Sequence, residues 1–293
     1  MKLLITGCKG QLGNELVSML ASGKSEIGDI PSSLVGAEIV AVDVDRLDIT
    51  DFSAVTDFVN HQKPDIIINC AAMTNVDGCE TMQDVAYKVN AAGVRNLAVA
   101  AETVRAKLVH VSTDYVFAGN GTVPYTEWDK TDPQSVYGKS KALGEQYAMS
   151  FCKRSFVVRT SWLYGYIGKN FVKTVRRVMR ERGAMTVVND QRGNPTNAND
   201  LAHHILKLCV TNEYGIYHCT GKGECTWFDF AAEIVKLSGI AGTVSPCSSE
   251  EYPSPVKRPA YSSLSHLALD CAVGDQMRAW QDALKEYIMK VEE

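Results

Sequence analysis

Residues 2–13 read Lys2-Leu3-Leu4-Ile5-Thr6-Gly7-Cys8-Lys9-Gly10-Gln11-Leu12-Gly13, a short apolar run that meets three glycines at G-x-x-G-x-x-G spacing. The run has strand length, and residues 11–20 then carry Leu12, Leu16, Val17 and Leu20 on one side at helical spacing. Strand, tight turn and helix follow, and glycine is the residue that allows such a turn. Without side chains the backbone can approach a pyrophosphate, while the helix N-terminus offers unpaired N–H groups and the positive end of a dipole. Gly7, Gly10, Gln11, Leu12 and Gly13 are therefore candidate cofactor-binding residues. A plain glycine-rich turn has the same letters, and what favours the cofactor is the place of the motif at the head of a βαβ unit.

Working outward, residues 38–42, 65–70, 107–112 and 156–159 are further apolar runs of strand length. Helix-length segments at 53–61, 82–102 and 136–151 separate them, which predicts parallel strands joined by crossover helices. The expected class is α/β, a Rossmann-like doubly wound parallel sheet. Beyond residue 160 the pattern turns irregular, with Gly, Asn and Pro around 164–170 and 189–200. We expect a dinucleotide-binding domain over 1–160, with a returning segment near 197–215, and a smaller, partly interleaved C-terminal substrate domain over 161–293. The polar stretch 23–36 reads as a surface insertion. Phe171, Val175, Val178 and Met179 mark the apolar side of a helix whose Lys173, Arg176, Arg177 and Arg180 are expected in solvent. Thr226 to Asp229 reads as a capping box opening a helix that Gly239 stops.

With 293 residues, 45% hydrophobic and 22% charged, the chain can bury one large core or two smaller ones, which excludes a disordered or fibrous protein. A net charge of -4, with no long run of one sign, argues against a nucleic-acid partner. No apolar stretch approaches the ~18 residues of a membrane span, and the amino terminus leads directly into a strand with no signal region, so a cytoplasmic protein is expected. Nine scattered cysteines suit reduced thiols better than a disulfide framework. His218, Cys219 and Cys225 fit no common zinc spacing, and no metal is assigned.

Tyr137 and Lys141 stand four residues apart on an expected helix, so both project from one face. A phenol with a pKa near 10 is a poor acid–base group at neutral pH, and a neighbouring ammonium favours its phenolate. Tyr137 is thus a candidate proton donor to a carbonyl oxygen, tuned by Lys141. His110-Val111-Ser112-Thr113-Asp114 closes a central strand at the edge where such sheets bind ligands, and hydroxyls there can polarise a substrate carbonyl. Asp43, at the end of the second strand, is the candidate for the adenosine ribose, with Asp48 and Ile49 as further candidates. Its offset of 30 residues from Gly13 exceeds the usual spacing of about 20, and the 23–36 insertion accounts for the surplus. An acid there favours NADH, while Lys9 and Arg46 leave room for NADPH, so both cofactors stay open.

Taken together, Gly7-x-x-Gly10-x-x-Gly13, Asn69-Cys70-Ala71-Ala72, Thr113 and Tyr137-x-x-x-Lys141 resemble the extended short-chain dehydrogenase/reductase family over the whole chain. The segments 112–117, 159–164, 189–196 and 257–259 resemble its sugar-nucleotide branch more narrowly. The resemblance implies a catalytic set of Thr113, Tyr137 and Lys141, a cofactor wall including Ala71, Ala72 and Thr74, and a substrate side that includes Trp162. Met73 and Cys70 depart from the histidine and alanine common there. The implied reaction is reduction by NADPH or NADH of the C4 ketone of dTDP-6-deoxy-L-lyxo-4-hexulose to dTDP-L-rhamnose, with Lys141 also holding the nicotinamide ribose. It serves dTDP-rhamnose and cell-surface polysaccharide biosynthesis. The partner is then a dTDP-sugar, whose phosphates need local cations: Arg258 first, then Arg192 and Lys169. Thr113 and Asp114 would face the sugar. Magnesium accompanies some members, though no acid cluster here calls for it, and the family allows a homodimer. Another sugar-nucleotide reductase or epimerase, or a non-enzymatic regulatory subunit like that of methionine adenosyltransferase, is the alternative within the same branch.

Overall fold

The computed structural model describes residues 1–252 and 254–291. Its centre is a sheet of six strands: β1 (Lys2–Thr6), β2 (Glu38–Val42), β3 (Ile66–Asn69), β4 (Lys107–Thr113), β5 (Ser155–Thr160) and β6 (Gly215–His218). All five pairings are parallel, in the spatial order β6-β5-β4-β3-β1-β2. The chain steps from β1 to β2 on one side and then crosses back to β3 on the other. That reversal opens a crevice at the carboxyl end of β1, the end where Gly7 follows.

Parallel strands covered on both faces need apolar residues at every position, and these have them. Leu3, Ile5, Ile66, Ile68, Val109, Phe156 and Val158 share one apolar layer with Leu12, Leu16, Met19 and Leu20 of α1 (Gln11–Ser22). Leu4, Val40, Val42, Ile67, Leu108 and Val157 meet the opposite layer, where α2 (Phe52–Gln62) and α3 (Gly93–Val104) bring Val55, Val59, Val94 and Leu97. Beside α3 lies α4 (Val136–Phe151). A second apolar cluster gathers α5 (Phe171–Arg182), α7 (Trp227–Leu237) and α8 (Trp280–Lys290) around Tyr164, Val175, Met179, Phe230 and Tyr287. Between them in sequence, α6 (Ala198–Cys209) packs beside α1 with Leu201, Ile205 and Leu206 in the first core, and β6 pairs with β5. The capping box opens α7 as read: Thr226 accepts from the Asp229 amide at 3.1 Å and Asp229 accepts from that of Thr226 at 3.0 Å.

Three expectations change. The 82–102 helix starts earlier and is broken: Val76–Thr81 and Gln83–Tyr87 precede a π turn at Lys88–Ala92, and α3 continues from Gly93. The wide turn carries buried Asn90 inward, where its side chain bonds the amide and carbonyl of Met73 at 2.8 and 3.0 Å and Ser140 at 3.1 Å. Residues 23–36, read as a surface insertion, lie mostly at the surface but are also anchored in the core. They form a small hairpin and a 3₁₀ turn, bury Ile30 and Leu34 in the first core, and present Glu26 to Arg278 at 2.7 Å. Finally, α5 buries Val172, Val175, Arg176 and Met179, so Arg176 lies inside, and Lys173 reaches back to the Tyr166 carbonyl at 2.6 Å.

All nine cysteines are free. His218 has both ring nitrogens engaged, Nδ1 with the Ser265 carbonyl at 3.0 Å and Nε2 with Arg159 at 3.3 Å. Among the described residues no three His, Cys, Asp or Glu side chains gather as a metal site, and no helix is long and apolar enough to cross a membrane.

Candidate active site

The crevice at the carboxyl ends of β1, β3, β4 and β5 is a two-lobed groove passing over the glycine turn. Gly7 has φ +67°, and a Cβ on it would stand 2.7 Å from the Ala71 nitrogen; a Cβ on Gly13 would stand 2.2 Å from the Gly7 carbonyl oxygen. Side chains are thus excluded where strand and helix come closest. Gly10 caps α1 without a side-chain hydrogen bond, which leaves the N–H groups of the first turn free for an anion.

One lobe, of about 520 Å³, is lined by Gly7, Gly10, Asp43, Asp48, Ile49, Ala71 and Ala72 among others. Asp43 is fixed there, since its carboxylate accepts from the amides of Lys9 at 3.0 Å and Val44 at 2.9 Å. Lys9 pairs with Asp45 at 2.9 Å, and Arg46 lies over the Phe58 ring, so each nearby cation has a local partner.

The other lobe, of about 480 Å³, shares Gly7, Gly10 and Ala72 with the first and adds Gln11, Leu12, Gly13, Thr74, Thr113, Asp114, Tyr137, Lys141 and Trp162. Thr113 ends β4, and its hydroxyl donates to Asp114 Oδ1 at 2.9 Å, accepts from the Tyr115 amide at 3.2 Å and interacts with the Tyr137 phenol. Burial pushes the phenol above its usual range. Lys141 is also buried, which pulls its ammonium down to about 8, and Nζ donates to the Val111 carbonyl at 2.6 Å. The expectation that Lys141 lowers the Tyr137 pKa is therefore not met in the cofactor-free chain: the amine points to β4, and desolvation dominates the phenol. Burial also raises Asp114 to about 6 against opposing hydrogen bonds from the Ser262 and Thr113 side chains, and its Oδ2 has no partner in close hydrogen-bond geometry. Thr160 Oγ1, on the same wall, is likewise buried and unpartnered. Such groups are costly in the free protein and suit a polyhydroxylated ligand.

Ser112, one residue before Thr113, turns elsewhere: its hydroxyl donates to Glu145 Oε1 at 2.5 Å. Glu145 is held by Arg159 at 2.9 and 2.7 Å, and both side chains are buried. This links β4, β5 and α4, and so fixes the helix carrying Tyr137 and Lys141 against the strand carrying Thr113.

Trp162 adopts φ +44°, a strained conformation for a bulky residue, and stacks on Trp227 with ring centroids 3.6 Å apart and planes at 10°. Both rings line the second lobe. Arg258 lies outside the two lobes, in an adjoining pocket that shares Tyr115 with the groove. It donates to the Tyr115 hydroxyl at 3.2 Å and pairs with Asp77 at 3.1 Å. Arg192 is paired with Glu224 at 3.4 Å and lines neither lobe, and Lys169 lines neither as well. Trp227, Tyr115 and Asp77 were not expected from the sequence. Trp227 left a trace there inside the Thr226–Asp229 capping box, as a helix start, and Tyr115 inside the 112–117 segment, with no role assigned to either.

The chain matches the family described as RmlD substrate binding domain over residues 1–293. It is 41% identical to the spore coat polysaccharide biosynthesis protein SpsK of Bacillus subtilis, over 99% of this chain and 97% of that one. Among solved structures it resembles a dTDP-4-dehydrorhamnose reductase, an RfbD ortholog from Clostridium acetobutylicum, with a TM-score of 0.93 and 47% identity over 99% of each chain. A Bacillus anthracis dTDP-4-dehydrorhamnose reductase in complex with NADP gives a TM-score of 0.92 at 41% identity, again over 99% of each chain. A full-length match of this kind, on a chain with this groove, identifies a member of the RmlD substrate binding domain family.

Proposed function

We propose that this protein is a nicotinamide-dependent reductase of dTDP-sugars that converts dTDP-6-deoxy-L-lyxo-4-hexulose to dTDP-L-rhamnose. The observation that carries this reading is the meeting of Thr113, Tyr137 and Lys141 in one lobe of a groove whose other lobe crosses the glycine turn to Asp43. The names borne by its relatives support the substrate, and the spore coat relative supports a role in polysaccharide synthesis. In this reading residues 1–160, with the segment near 197–215 returning to the sheet, hold the cofactor, and the remainder mainly closes over the sugar.

The groove fits a dinucleotide: the positions at Gly7 and Gly13 have no room for a side chain, the first turn of α1 keeps its N–H groups free, and Asp43 is fixed to accept a ribose hydroxyl. When bound, the nicotinamide supplies the hydride that reduces the ketone carbon. Tyr137, kept protonated by burial, gives its proton to the ketone oxygen, and Thr113 hydrogen-bonds the same oxygen and orients it. Lys141 holds the ribose next to the nicotinamide. Asp114 Oδ2 and Thr160 Oγ1 take hydroxyls of the sugar, and the Trp162–Trp227 stack covers its apolar side. Arg258, already oriented by Asp77 and Tyr115, faces the diphosphate.

The test is consumption of NADPH and of NADH, run separately, with dTDP-4-keto-6-deoxyglucose plus a 3,5-epimerase. Consumption that requires the epimerase and yields dTDP-rhamnose is expected, with Tyr137→Phe losing nearly all turnover while still binding cofactor. No consumption by a preparation that binds cofactor would remove this substrate. Full turnover in Tyr137→Phe would remove the proposed acid.

A further inference from the structure

Behind the groove, four side chains from four elements form one buried line. Thr6 at the end of β1 donates through Oγ1 to Asn69 Oδ1 at 2.7 Å, and Asn69 Nδ2 lies 3.1 Å from His110 Nδ1 on β4. His110 Nε2 lies 3.5 Å from Lys141 Nζ on α4. None of the four is more than 2% exposed. Helix and ring come this close because residue 144 is glycine: a Cβ there would stand 2.2 Å from the Asn90 carbonyl oxygen and 3.4 Å from His110 Nε2.

Hydrogen-bond logic fixes the protons along this line. The Ala71 amide donates to Asn69 Oδ1 at 3.1 Å, and a backbone N–H can only donate, so the oxygen of the Asn69 side chain is identified and its NH₂ must face His110. His110 Nδ1 then accepts, and the ring, which burial holds neutral, carries its hydrogen on Nε2. That hydrogen points at Lys141. An ammonium there meets a donor with a donor, whereas a neutral amine accepts from Nε2–H and still donates to the Val111 carbonyl. The other titratable groups around the amine are Glu145, one turn along α4 and bound to Arg159 and Ser112; the Cys70 thiol, which burial raises to about 12; and Tyr137, one turn back, with Asp114 behind it. Of these only Glu145 favours the ammonium strongly, and both of its oxygens are already engaged.

We propose that Asn69 and His110 act as a tautomer lock that shifts Lys141 towards its neutral amine, so that at alkaline pH dinucleotide binding draws protons from solvent onto the lysine. His110 is buried and lines neither lobe of the groove, and is a positioning residue acting through Lys141. Ribose hydroxyls and the diphosphate bring acceptors and negative charge to the amine, and the unprotonated fraction of Lys141 then takes up a proton and holds the ribose as an ammonium. The inference rests on the dinucleotide reading of the groove but not on which sugar is reduced.

The test is a pH titration of the cofactor-free protein carrying ¹³C at lysine Cε, with the Lys141 signal assigned by its loss in Lys141→Met. The native protein is expected to titrate near pH 8 at this position. In Asn69→Asp the carboxylate takes Nδ1–H from His110, turns the Nε2 lone pair to Lys141, and should raise the midpoint by at least one pH unit, a tenfold gain in proton affinity. His110→Leu removes the opposing donor and should raise it as well. Calorimetry of NADPH binding to the native protein at pH 8.5, in two buffers of different ionisation enthalpy, should show proton uptake that Asn69→Asp reduces. An ordinary lysine midpoint in the native protein, or a midpoint unmoved in the folded variants, overturns the proposal. So does cofactor binding without proton uptake. Failure of the sugar assay alone, with the titration as expected, would leave it standing.

Discussion

At the scale of single residues, burial decides what Tyr137 can do. A phenol pushed above its usual range stays protonated across the neutral range, as the proposed proton donor must be. Asp43 governs the other lobe. Its carboxylate is anchored by two amides, and Lys9 is committed to Asp45, so a 2′-phosphate would meet a fixed negative charge. Asp43→Ala is expected to weaken NADH binding by roughly five- to fiftyfold, or about 1–2 kcal/mol, while NADPH binding holds or improves. Separate KM values for the two cofactors check this, and an unchanged ratio would remove Asp43 from the ribose. Thr113, Tyr137 and Lys141 were legible in the sequence because each marks an element locally, a strand end or a four-residue helical step. Trp227, Tyr115 and Asp77 were not, because only the tertiary fold brings them to the groove.

At the scale of elements, the proposed reacting groups depend on how α4 sits against β4 and β5. The Ser112–Glu145–Arg159 cluster holds the three together in the interior. Removing one partner of a buried ion pair leaves the other charge unpaired, which typically costs about 3–5 kcal/mol. Arg159→Ala should therefore lower unfolding stability by about that amount, measurable by urea denaturation, and lower turnover in the fraction that folds. A loss below about 1 kcal/mol would show that the cluster does not secure the helix. Parallel strands announced themselves as continuous apolar runs at 38–42, 65–70 and 107–112, and five of the six sheet strands were legible for that reason. Gly215–His218 escaped notice because it contributes only Ile216 and Tyr217 as apolar residues at the sheet edge. The π turn at Lys88–Ala92 escaped because Asn90 buries a polar side chain at a wider helical period than apolar spacing reveals. The 23–36 hairpin escaped because its anchor, Glu26 with Arg278, spans most of the chain.

At the scale of the whole molecule, apolar clusters on both faces of the sheet and among the C-terminal helices surround the groove, and the interior contains histidines held neutral. Burial lowers His204 to about 4 and His218 to about 3, and holds His110 well below its usual value. Unfolding releases these rings to titrate near pH 6.5, so between pH 6.5 and 4 the unfolded chain binds more protons at these sites and stability falls as pH falls. Asp114, raised to about 6, works in the opposite direction over pH 6 to 4, since the folded chain takes its proton first. His203 is lowered as well, Glu15 and Asp200 are raised like Asp114, and Asp275 is held down to about 2, so four histidines and one carboxylate stand against three carboxyls and leave a net loss on the order of 1 kcal/mol per pH unit between pH 6 and 4. Denaturation midpoints at pH 7 and pH 5 check the sign, and equal stability at both would contradict it. The central claim, that the groove delivers hydride to C4 of a dTDP-linked 4-keto-6-deoxysugar, is tested most directly by isotope transfer. With nicotinamide cofactor deuterated at its C4 on the face that donates, the account predicts dTDP-L-rhamnose carrying deuterium at C4 of the sugar and nowhere else. Deuterium at another sugar carbon, or unlabelled product, would contradict it.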